Sequence, residues 1–81
     1  MSKKFEIVNG KWIRQKKYGS GFNSIKINSI NSFETDADGK YYHITLGSVN
    51  AGEFISFIYE KTDKEEYEAD LKFFEDLLFN Q

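Results

Sequence analysis

The chain has 81 residues, 11 basic and 13 acidic side chains, a net charge of −2, and 40% hydrophobic and 17% aromatic content. That makes one domain with a small core and too many large apolar side chains for a disordered segment. The lack of cysteine excludes a disulfide framework and a cysteine-type zinc site. No apolar run reaches transmembrane length and no charged-then-apolar signal opens the chain, so the expected setting is the cytoplasm, without a membrane partner.

The small net charge hides a polarity. Residues 1–31 carry Lys3, Lys4, Lys11, Arg14, Lys16, Lys17 and Lys26 against Glu6, a balance of +6, whereas residues 32–81 balance to −8. Such polarity acts on association and steering, not on the fold. Ten lysines stand against one arginine, with abundant Asn, Ile, Phe and Tyr. This is the bias of an AT-rich genome and fits a low-GC bacterium or its phage.

The first expected strand, 5–8, is separated by Asn9-Gly10 from a second at 11–18. Asn-Gly and Asp-Gly pairs supply the positive φ angles of tight hairpins. The second strand is lysine-rich, as suits a sheet edge. Gly19-Ser20-Gly21 is a looser break before a third strand over 24–34. There Ile25 and Ile27 share a face and Ile30 breaks the parity, so a bulge is expected near Asn28-Ser29.

Asp38-Gly39 leads into a fourth strand at 40–47, where Tyr42, Ile44 and Leu46 alternate with Tyr41, His43 and Thr45. Ala51-Gly52 precedes a fifth strand, 53–60, apolar on both faces: Ile55, Phe57 and Tyr59 on one, Phe54 and Ile58 on the other. Beyond it the period changes. Tyr67, Leu71, Phe74 and Leu78 form one helical stripe over 63–79, with Thr62 and Glu65 spaced as a capping box. The stripe needs a surface to cover, and the strands supply the only one. The expected fold is α+β: a five-stranded, curled antiparallel meander, a partial barrel, capped by one C-terminal amphipathic helix.

The run Asn-Gly-Lys-Trp-Ile at 9–13, the spaced isoleucines, the Tyr-rich strand and the acidic-aromatic helix resemble small pleckstrin-homology-like proteins of Gram-positive bacteria and their phages. The resemblance covers most of the chain at the level of pattern. It implies a binding module, since that superfold hosts peptide, lipid and protein binding alike, and it carries over no functional residues.

Catalytic equipment is sparse. His43 is the only histidine, and no spacing gives it a nucleophile and an orienting partner. The acids of Glu34, Asp36 and Asp38 with Gly39 follow half of a calcium loop, but Thr45 occupies the position that needs a bidentate glutamate. A turn explains these residues, and neither a metal nor a cofactor is expected.

The chain therefore reads as a non-enzymatic interaction module, a phage or mobile-element accessory or inhibitor protein. Its expected docking surface is the helix, through Phe73, Leu77 and Phe79 with Glu66 and Asp70, or the apolar strand, through Phe54 and Ile58. Homodimerisation would follow from the same polarity. One alternative is nucleic-acid binding by Lys11, Arg14, Lys16 and Lys17 interleaved with Trp12 and Tyr18. Another is a small-molecule or nucleotide sponge with its pocket between sheet and helix or across a dimer seam.

Overall fold

The Asn9-Gly10 turn forms as its composition demands. Both residues take left-handed angles, φ 54 and φ 66, and the Lys11 N–H donates to the Val8 carbonyl at 3.0 Å. The turn joins β1 (Phe5–Val8) to β2 (Trp12–Gln15) in a computed structural model that describes residues 2–16 and 19–79. The remaining strands are β3 (Gly19–Gly21), β4 (Ser24–Lys26), β5 (Ser32–Ala37), β6 (Tyr41–Ser48) and β7 (Glu53–Glu60), followed by the helix α1 (Lys64–Phe79).

All strand pairs are antiparallel, and they build two sheets, one in the order β1-β2-β4 and one in the order β3-β7-β6-β5. This corrects the expected single meander. The stretch 24–34 does not run as one strand, because a 3-10 turn at Ile27–Ser29 interrupts it where a bulge was expected. Its first part pairs with β2 and its second part with β6. β3 is an unexpected strand and gives β7 a second neighbour. Neither sheet closes into a barrel. The chain passes from one sheet to the other at Phe22 and Asn23: Phe22 donates to the Phe54 carbonyl and Asn23 accepts from Gln15, each at 2.8 Å.

The other two turns differ from each other. Gly52 has φ 67, as a tight turn with Gly requires. Gly39 has no positive φ; instead the Asp38 carboxylate accepts the Lys40 and Tyr41 N–H groups at 2.8 Å each. At this hairpin the aspartate side chain performs the work assigned to the glycine.

One face of each sheet supplies the core: Phe5, Ile13, Ile25 and Ile27 from the smaller sheet and its 3-10 turn, Ile44, Leu46, Ile55, Phe57 and Tyr59 from the larger. Parity assigns them, because alternate residues of a strand share a face. The helix closes the layer with Phe74, whose ring lies 4.6 Å from that of Phe5 and 5.5 Å from that of Phe57. Tyr67, Leu71 and Leu78 flank it, so the expected stripe is the packed one. Tyr67 stacks on Tyr42 at 4.4 Å. Thr62, expected as the helix cap, lies within a 3-10 turn (Lys61–Asp63) that follows the extended Glu60 and leads into α1.

Candidate functional site

The seven residues expected at a docking surface fall in four places. Leu77 packs against the core. Phe79 is 66% exposed and sets its ring 5.6 Å from Phe33, beside a shallow depression formed with Ile30, Asn31, Ser32 and Leu78. Phe54 and Ile58 lie on the outer face of the larger sheet, Phe54 half-exposed and Ile58 half-buried. Glu66, Asp70 and Phe73 are brought together, and with Ser2, Lys3, Phe5 and Ala69 they line a groove of about 480 Å³ between the N-terminal segment and α1.

Within that groove each side chain has a distinct environment. Phe73 is 37% exposed, and its ring is tilted 43° to that of Phe5 with 5.4 Å between ring centres. It is therefore neither a core residue nor a free anchor, but a partly open apolar wall. Glu66 is half-buried and stands one helical turn before Asp70 on the same side.

Asp70 departs most from expectation. Its position is 5% exposed, so it is not part of an acidic rim. Asp70 sits three residues after Tyr67 and four before Phe74, which places it inside the apolar stripe. A buried carboxylate there needs partners, and it has two: Oδ2 accepts the Tyr59 hydroxyl at 2.7 Å and the Ser2 hydroxyl at 2.6 Å. Ser2 Oγ also accepts the Lys4 N–H at 2.9 Å, and Lys16 Nζ donates to the Ser2 carbonyl at 3.3 Å. The carboxylate thereby ties α1 to β7 and to the chain ahead of β1. Burial, and then the hydrogen bond to Asp70, pushes the Tyr59 phenol far above its ordinary pKa, so it remains a neutral donor.

A second groove of about 480 Å³ lies on the outer face of the larger sheet, lined by Lys4, Tyr41, His43, Ile58 and Glu60. His43 stands directly opposite Ile58, and its Nε2 is 3.2 Å from Asp38 Oδ2. The two backbone N–H groups on Asp38, and then His43, lower that carboxyl's pKa from 3.8 to about 2. The same carboxylate thus fixes the turn and holds the imidazole. Among the described residues no three His, Asp or Glu side chains gather to hold a metal ion.

The residues of the nucleic-acid alternative separate by parity. Ile13 is fully buried and anchors β2, which leaves Trp12 40% exposed on the opposite face. Arg14 also faces outward and binds Glu6, with Nη2 and Nε donating to one carboxylate oxygen at 2.8 and 3.1 Å. Lys11 and Lys16 are exposed, and Lys17 and Tyr18 lie outside the described residues. The structure adds a cation that the sequence pattern missed: Lys26 on β4 is paired across from Trp12. Only strand pairing reveals it, since 14 positions separate the two in the chain.

No protein-family model, curated protein or solved structure matches this chain. Among the described residues no helix is long and apolar enough to cross a membrane.

Proposed function

We propose that this chain is a non-enzymatic protein-binding module, and that its docking surface is the groove between the N-terminal segment and α1. The observation that carries this reading is Phe73: a half-open aromatic wall over Phe5, beside Glu66, at the mouth of a groove of about 480 Å³. Interface hot spots combine such an apolar anchor with a polar rim. Glu66 lines the groove and the exposed Glu65 and Asp76 flank it on α1, so the partner segment is basic and places one apolar side chain against Phe73. The role as an inhibitor or accessory protein, and the likeness to pleckstrin-homology-like modules, belong to this same proposal.

The test is capture followed by crosslinking on lysine. A partner that binds here gives crosslinks to Lys3, which lines the groove, and to Lys72 on the exposed side of α1. Phe73→Ala abolishes capture and leaves the melting transition close to that of the wild type, because the residue is a wall and not a core element. Leu77→Ala is a less clean probe, because Leu77 supports the core. Undiminished capture by Phe73→Ala, or crosslinks confined to Lys11 and Lys26, would exclude the helix groove.

A further inference from the structure

On the outer face of the smaller sheet, strand register places two rows of side chains across three strands. Val8, Trp12 and Lys26 form one row, and Glu6, Arg14 and Ser24 the next. Directly opposed side chains lie within contact range in an antiparallel pair. Trp12 therefore has the half-buried Val8 on one side and the lysine stem of Lys26 on the other, with 40% of its surface open.

Two lysines are neighbours of Trp12, one along the chain and one across the sheet. Lys11 precedes it at the turn, and Lys26 stands across the strand. Arg14 and Lys16 continue along the outward side of the β2 direction, two residues per step, about 6.7 Å apart. Arg14 is neutralised by Glu6, whereas Lys11 and Lys26 are in no ion pair among the described residues.

We propose that this face is a single-strand nucleic-acid site in which Trp12 stacks on one base and Lys11, Lys16 and Lys26 meet the flanking phosphates. Duplex is disfavoured, since its bases offer no free ring face to Trp12. The binding is sequence-tolerant because every base has a ring face on which Trp12 can stack. This surface is separate from the helix groove and does not rest on the reading given to that groove.

Trp12 is the only tryptophan, so its fluorescence reports the stacking directly. Titration of the intact protein with unstructured DNA and RNA oligonucleotides at low salt is expected to quench and shift that emission. Three phosphate contacts give a slope of log K against log salt of about −2, or roughly a twentyfold loss from 50 to 200 mM. Trp12→Ala, read by oligonucleotide anisotropy, should weaken binding about five- to hundredfold, and Trp12→Phe should restore most of it. Lys26→Glu should make the slope shallower by about 0.7 or more.

Ile13 holds β2 in the core, so the Trp12 variants fold; a circular-dichroism melt verifies this, and the Lys26→Glu titration tests the site by a second route. Phe73→Ala should leave this binding unchanged. The proposal is overturned by unchanged emission with both DNA and RNA at low salt, or by equal affinity for Trp12→Ala. It is also overturned if polyglutamate or inorganic polyphosphate quenches as strongly as the oligonucleotides, since the face would then be a general anion patch or a dock for an acidic protein.

Discussion

The Tyr59 hydroxyl donates to Asp70 Oδ2 at 2.7 Å, joining the last strand to the middle of the helix through a buried polar contact. Tyr59 is fully buried and Asp70 nearly so, and a hydrogen bond to a charged acceptor in such a setting contributes about 1.5–3 kcal/mol. Tyr59→Phe is expected to destabilise by that amount in chemical denaturation. Asp70→Ala should be at least as damaging, because it strands the phenol. The double variant should fall short of the sum by roughly 0.5–3 kcal/mol, the coupling between the two groups.

Alkaline pH probes the same contact. Burial and Asp70 raise the Tyr59 phenol above its ordinary value of 10.0. Below pH 10 both folded and unfolded chains keep the proton, and the contribution is whole. Above it only the unfolded chain ionises, so stability falls as pH rises. Urea midpoints measured from pH 8 to 11 should decline beyond pH 10, and Tyr59→Phe should flatten that decline.

Asp38 acts at the other end of the scale. Its carboxyl is lowered from 3.8 to about 2 by the two turn N–H groups and His43. Its contribution is present above pH 3.8 and disappears as pH falls through about 2. Carbon-13 titration of the Asp38 carboxyl should show that low midpoint. The backbone amides of Lys40 and Tyr41 should shift with the same midpoint, and in Asp38→Ala their low-pH response should vanish.

Phe74 is the helix's fully buried contact with both sheets, against Phe5 and Phe57. Phe74→Ala is expected to destabilise by about 3–5 kcal/mol, a large part of the stability of a domain this small. The same change at Phe73, which is 37% exposed, should be much milder. The ratio of the two, read from denaturation midpoints, tests the assignment of core and wall.

Local chemistry made much of this architecture readable. Asn9-Gly10 could only be a tight turn, alternation in 42–46 placed Ile44 and Leu46 inward, and the helical period of Tyr67, Leu71, Phe74 and Leu78 named the packed stripe. Pairing was less legible, because partners are chosen by tertiary fit. The break at Ile27–Ser29 and the return of β7 to β3 have no local signature strong enough to decide them. Asp70 was misplaced because acidic residues usually face solvent. Its wheel position between Tyr67 and Phe74, together with the inward parity of Tyr59, held the corrective signal. The basic surface was half legible: Trp12 was visible in the chain, but Lys26 joins it only through strand register.

The position of β7 has a consequence for biosynthesis. This segment emerges late from the ribosome yet lies between β6 and β3, so β3 stays without its partner until then. Nascent chains stalled before it appears can pair β1, β2 and β4 and can close the β5–β6 hairpin, but should remain open to proteases at β3. Resistance should rise in one step once the helix clears the exit tunnel.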